Sequence, residues 1–444
     1  MGFEWAYVPI GVPTFHLESA EIEFKKSVEM LKGLDENVKV PQKMLLTLGD
    51  LNGFLNTINP KLIILQNITF ANAAYASEVI KKFNCPIMIW TLREPVIDGG
   101  RLRLNSLTGA FSSGNMLYTN GRPFEYVFGS PNEESVINSI NAMLTAAKIK
   151  EALSNLTLLQ VGHTPQGFGF GRANDAEILN AFGVTLQSIE ARELIDIAKA
   201  TSDDDAKGYL EKAGKRIKGL EKINRQNQID FAKLYKAYAE YCKNNNIGAL
   251  ASRCWPDFFT SYGTPVCSVL AMLNDEGIAA ACEADAYGAL TMFIAMKMTM
   301  RPVFFGDPVS MDEKANTITF WHCGTAATAL ARNDTGACAG LHCNRKIGPT
   351  LEFGCKEFRE ASVLRVGKDN NGTFRIFVTD GEIINKPQQF NGTSLVFRAN
   401  GNASEIVTGA VKDGWEPHFV VSYGNISKEI EMLGNMLGID VWEY

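Results

Sequence analysis

Short apolar runs alternate with amphipathic stretches through the first third of the chain. EWAYVPI is followed by a helical pattern over about residues 17 to 33, then by KLIILQNI, a second helical pattern over about 71 to 83, and CPIMIW. Strands that are apolar throughout, each followed by a helix, predict a parallel sheet covered on both faces. A polar helical passage near 133 to 154 leads into LTLLQVG. The rhythm then restarts with AEILNAFGV, a charged helical stretch from 203 to 246, the apolar IGALASRCW and a helix over 266 to 276. After about residue 300 the pattern changes to short β-rich segments between Gly, Asn and Asp turns: RPVFFGD, NTITFWHCG, ASVLRVG, GTFRIFVTD, TSLVFRA and EIVTGAV. A last helix, SKEIEMLGNMLG, closes the pattern. The expectation is an α/β protein with two Rossmann-like α/β domains, residues 1–153 and 154–301, followed by a β-rich, barrel-like domain over 302–444.

Length agrees with several domains, because 444 residues exceed what one ordinary core holds. The 43 Lys and Arg against 49 Asp and Glu leave a net charge of −6, so no global positive field attracts nucleic acid or anionic lipid. Nine cysteines without a C-x-x-C pair suit reduced thiols. The start MGFEWAYVPIGVP lacks the basic and apolar regions of an export signal, and no apolar run approaches the ~18 residues of a membrane span. A cytoplasmic protein is expected.

Several motifs fall away on spacing. Gly167, Gly169 and Gly171 follow a strand, but the last two lie two apart rather than three, which does not fit a dinucleotide fingerprint. A flexible βα loop near an active site is the plainer reading. There is no Walker-type phosphate loop. Cys338, His342 and Cys343 match no zinc-finger spacing and read as core thiols and a surface His.

The informative stretch is ACEADAYGALTMFIAMKMTMRPVFFGDPVSMDE. Glu283 and Asp285 follow an apolar strand, and Asp307 ends the next one. Carboxylates at element ends in apolar surroundings are poorly solvated without a cation, and a hard divalent ion supplies one. Taken singly each acid has a structural reading: Asp285 as a helix cap, Asp307 before Pro308 as a turn acid.

At these residues the chain resembles the L-fucose isomerase and L-arabinose isomerase family. The matching pieces are ALASRCWPDF, GIAAACEADAYGALTMF, RPVFFGDP, ITFWHCGTAA and GWEPHFVVSYGN, within about residues 247 to 425. The resemblance implies a metal held by Glu283, Asp307 and His418, with Mn²⁺, Co²⁺ or Mg²⁺ as the ion. It also implies homo-oligomers, trimers or hexamers, with active sites between subunits. The implied activity is aldose–ketose isomerisation of a sugar by enediol proton transfer, with Glu283 and Asp307 as acid and base. Substrate contacts are expected from His16, Arg93, His322 and Trp415, His322 having a place in the metal shell as its alternative, and Trp255 is a further stacking candidate. Arg93, Arg101 and Arg103 cluster on one loop and suit an anionic hexose such as sulfoquinovose. A neutral-sugar isomerase acting on L-fucose, D-arabinose or L-arabinose, and a non-catalytic sugar-binding protein, are the alternatives.

Overall fold

Five short strands, β1 (Trp5–Ile10), β2 (Val38–Lys39), β3 (Ile63–Asn67), β4 (Ile87–Thr91) and β5 (Phe124–Phe128), form a parallel sheet in the order β2-β1-β3-β4-β5. The structure is a computed structural model, and it describes residues 2–444. β1, β3 and β4 are buried at every position, which explains why their sequences are largely apolar rather than alternating, the buried polar exceptions Gln66, Asn67 and Thr91 lying toward the carboxyl ends. Helices Leu17–Leu34 and Ala73–Lys82 lie where the periodicity predicts them. A third helix, Ser106–Thr119, was not legible, because its Gly, Ser and Asn content masks the period. Gly109 is required there: a Cβ would collide with the Asn67 side chain of β3. These elements belong to a first compact unit, Met1–Glu151 with Glu431–Gly438.

The second unit, Ala152–Ile430 with Ile439–Tyr444, starts with another parallel sheet. Its strands are β6 (Thr157–Val161), β7 (Thr185–Ile189), β9 (Ile247–Ser252) and β10 (Ala279–Cys282), in the order β10-β9-β6-β7; β8 (Ile217–Lys218) lies elsewhere. The charged stretch over 203 to 246 is two helices rather than one, Asp203–Gly214 and Arg225–Asn244. Between them β8 and the left-handed Gly219 (φ 74°) interrupt the helical backbone.

The remaining strands are β11 (Phe304–Asp312), β12 (Thr317–His322), β13 (Ala337–Gly340), β14 (Thr350–Gly354), β15 (Phe358–Lys368), β16 (Phe374–Ile383), β17 (Thr393–Ala399), β18 (Phe419–Val421) and β19 (Asp440–Glu443). Six of them close an antiparallel barrel in the order β16-β15-β18-β11-β12-β17, with β17 pairing back onto β16. Closure leaves these strands without free edges. The expected strand EIVTGAV is instead part of a helix, Ala403–Lys412. Asn402 accepts hydrogen bonds from the Ser404 and Glu405 amides, and this cap outweighs the β-preference of Ile406, Val407 and Thr408. β19 follows the last helix, Ser427–Leu437. Among the described residues no helix is long and apolar enough to cross a membrane.

Candidate active site

At the carboxyl end of β10 the backbone makes an unusual turn. Glu283 (φ 58°) and Ala284 (φ 56°) are both left-handed, a conformation that costs a non-glycine residue about 1–2 kcal/mol. The Ala284 amide donates to the Ser252 carbonyl of β9, which holds the turn in place. Asp285 then caps the helix Ala286–Thr299, its Oδ1 accepting from the Gly288 amide at 2.9 Å. Strain held in this way at a strand end marks a position where side-chain direction matters more than backbone comfort.

The barrel brings the other groups to Glu283. Gly306 of β11 pairs with Phe419 of β18, and Asp307 pairs with Trp321 of β12. This register sets Asp307 beside His418 and His322 beside Gly306, although 111 residues separate Asp307 from His418 in sequence (418 − 307). His418 is 1% exposed. Its Nε2 lies 2.9 Å from Glu283 Oε2 and 3.4 Å from Asp307 Oδ1. Trp255, after β9, donates from Nε1 to Glu283 Oε1 at 3.3 Å.

Behind this cluster lies a part that sequence reasoning missed. Arg365 of β15 is fully buried, and its guanidinium donates to both Asp285 oxygens at 2.6 and 3.1 Å. Asp285 Oδ2 also faces His418 Nδ1 at 3.0 Å. Burial alone would raise the Asp285 pKa, but the Arg365 charge and the His418 hydrogen bond outweigh it and hold the carboxyl well below its usual range. Asp285 is therefore both helix cap and carboxylate partner of the imidazole. A carboxylate can only accept, so Nδ1 of His418 carries a hydrogen toward Asp285, and Nε2, which faces Glu283 and Asp307, is the nitrogen whose lone pair a cation would take in place of a proton.

Burial also acts on the two remaining acids. Asp307 is pushed up, by burial first and by the neighbouring Glu283 and Asp285 charges, against the opposing pull of His322 and His418. For Glu283 the same burial is outweighed by the His418 hydrogen bond and the His322 charge, and its pKa is lowered. Three carboxyl groups thus share one largely buried site, which suits a divalent cation.

The glycine-rich loop after β6 covers His418. Phe168 and Phe170 place their rings 6.2 and 5.6 Å from the imidazole, and Phe168 meets Trp255 edge-on. Gly171 lets this loop approach, since a Cβ would lie 2.8 Å from the Asp285 Cα. Gly171→Ala is expected to destabilise the protein by about 1–3 kcal/mol in urea unfolding, because backbone rather than a flexible side chain must move. An unchanged unfolding midpoint would show that the loop is not seated as described.

No protein-family model matches the chain. The sulfoquinovose isomerase of Clostridium sp. (strain MSTE9) is 56% identical over 443 residues, covering 100% of this chain and 99% of the relative. That of Priestia megaterium (strain ATCC 12872 / QMB1551) is 36% identical over 99% of this chain and 98% of its own length. That of Alkalicoccus urumqiensis is 33% identical, covering 98% of each. The chain belongs to the sulfoquinovose isomerase family. It is an aldose–ketose isomerase, an intramolecular oxidoreductase.

In this family member the structure gathers Glu283, Asp307, His418 and His322, while other sequence-derived candidates have different surroundings. His16 caps the helix Leu17–Leu34, its Nδ1 accepting from the Ser19 amide. The Arg93 fork is taken by Glu133 at 2.7 and 2.8 Å and lies over the Phe128 ring. Arg103 faces Asp98 at 3.3 Å, whereas Arg101 donates to the Thr14 carbonyl. Trp415 lines an apolar barrel cavity of about 270 Å³ together with Asp307, but its indole N–H is used by Tyr444 and its face by Arg375. His342 is buried at 8% exposure rather than on the surface, and it clusters with Cys267 and Cys323 instead of Cys338 and Cys343. Its Nδ1 accepts from the Asn344 and Arg345 amides, which places the ring hydrogen on Nε2.

Proposed function

We propose that the chain interconverts sulfoquinovose and the corresponding 6-sulfo-ketose at a divalent metal held by Glu283, Asp307 and His418. The observation that carries this reading is the convergence of two carboxylates on one imidazole nitrogen, His418 Nε2, while Asp285 holds the opposite nitrogen of the ring. Oxygens of Glu283 and Asp307 lie 2.9 and 3.4 Å from the same imidazole nitrogen, a compact mixed donor set that would hold a divalent cation. With protein groups alone around it, His418 is pushed up to about 9: burial would lower its pKa, but the Asp285 and Glu283 hydrogen bonds prevail. The pocket thus favours positive charge at the point where a cation would bind. The mixed oxygen and nitrogen set fits Mn²⁺, with Co²⁺ or Mg²⁺ as substitutes. The names of the relatives and the resemblance to the L-fucose and L-arabinose isomerase family support the same reading.

Aldose–ketose exchange moves one proton between C1 and C2 and needs the charge on the adjacent oxygen stabilised. A bound divalent cation supplies Lewis acidity to the O1 and O2 oxygens. Glu283 and Asp307 take and return the proton as base and acid. Trp255 orients the Glu283 carboxylate through its second oxygen. Phe168 and Phe170 keep water from the His418 face.

The test is turnover of sulfoquinovose and of neutral aldoses with added Mn²⁺ and after chelation. Turnover of the sulfonated sugar that stops on chelation and returns with Mn²⁺ is expected. Equal turnover of neutral aldoses would overturn the substrate assignment, and activity indifferent to chelation would overturn the metal.

A further inference from the structure

Two imidazoles face the site, their ring centroids 5.8 Å apart, and they are anchored in opposite senses. His418 Nδ1 meets a carboxylate and so carries a hydrogen, which leaves Nε2, facing Glu283 and Asp307, as the nitrogen able to give its lone pair to a cation. His322 Nδ1 instead accepts from the Cys323 amide at 3.0 Å. An amide N–H can only donate, so Nδ1 of His322 holds the lone pair and its ring hydrogen is on Nε2. The Cys323 thiol, 3.3 Å from the same Nδ1, adds a second group at that edge.

The ring has little freedom to exchange these roles. His322 is 3% exposed, lies flat beside Trp321 at 6.3 Å and packs on Phe305 at 5.7 Å. It nevertheless belongs to the group in which ligand-type atoms of Glu283, His322 and His418 all lie within 4.8 Å of one another. By position alone it would serve as a fourth metal ligand. A ligand must offer a lone pair, however, and the edge left to His322 offers a hydrogen.

We propose that His322 is a catalytic hydrogen-bond donor to the substrate rather than a ligand of the metal. Its Nε2–H points to the sugar oxygen that gains negative charge as the C1–C2 proton is removed. It stabilises that charge without giving up its own proton. The division of labour between the two histidines is set by what meets each Nδ1: Asp285 makes His418 a lone-pair donor, and the Cys323 amide makes His322 a hydrogen donor. This inference rests on the isomerase reading above.

The test uses the Mn²⁺-loaded enzyme with His322→Phe and His322→Gln. Both variants are expected to retain the metal content of the unsubstituted protein. His322→Phe is expected to lose about 10²–10³-fold in kcat, the range for removing one preorganised donor, with KM changed by less than about threefold. Glutamine retains a side-chain N–H, and His322→Gln is expected to recover at least about tenfold of that loss. Loss of Mn²⁺ from either variant would overturn the proposal by making the ring a ligand, and so would a His322→Phe kcat within about threefold of the original. If the phenylalanine variant does not fold, metal retention and kcat of His322→Gln decide alone. Absence of turnover in the unsubstituted protein would instead overturn the isomerase reading.

Discussion

The double substitution Glu283→Gln with Asp307→Asn is expected to abolish Mn²⁺ retention and to lower sulfoquinovose turnover by at least about 10³-fold. Both changes preserve shape, so the folded structure persists while the two negative charges facing His418 Nε2 disappear. Acid–base participation of positioned side chains is worth about 10²–10⁴-fold, and loss of the cation adds to it. Metal analysis of the purified protein and steady-state assay check the two parts separately. Unchanged metal content together with unchanged turnover would sink the active-site assignment.

The largest stability effect is expected at Arg365, a residue with no place in a motif. Arg365→Met leaves Asp285, 1% exposed, as a buried carboxylate without its cation. Breaking such a pair from one side costs about 3–5 kcal/mol. Urea unfolding should show that loss. Removing both partners, as Arg365→Met with Asp285→Leu, should regain much of it, since apolar replacements of a buried pair are often neutral. The regained stability should not restore function, because His418 would lack the carboxylate that sets its tautomer. Metal affinity should stay about 10–100-fold weaker, the usual cost of losing such a partner. A single substitution costing under about 1 kcal/mol would mean that Asp285 and Arg365 are not the closed pair seen here.

These two expectations differ in how readily they could be drawn from the linear chain. Glu283 and Asp307 stand at the ends of apolar strands, and that placement alone makes two acids suspect. His418 carries no such local sign. Only its place in the late GWEPHFVVSYGN segment, read by resemblance, recruits it. Arg365 sits in SVLRVG as one charged residue in a strand, and nothing along the sequence distinguishes an outward Arg from one aimed at Asp285. Asp285 was legible as a cap and is one, but its second role needs Arg365 and His418 in space. The error at EIVTGAV has the opposite origin: β-branched residues suggested a strand, and a single capping Asn decided for helix.

What the chain determines by itself is therefore local and periodic. Continuous apolar runs specify buried parallel strands, amphipathic spacing specifies the helices over them, and turn residues separate the strands of the last third. The burial of a side chain follows from such patterns because it depends on near neighbours. Tertiary structure alone decides the chemistry of the two histidines. His322 and His418 are both buried imidazoles at strand ends, indistinguishable by composition. Packing of the barrel strands β15 and β18 against the helix Ala286–Thr299 sets one Nδ1 against a carboxylate 133 residues away, while the other meets the amide of the next residue. Which ring nitrogen holds a lone pair is a property of those partners, and the packing of the barrel on the helix capped by Asp285 is what supplies one of them.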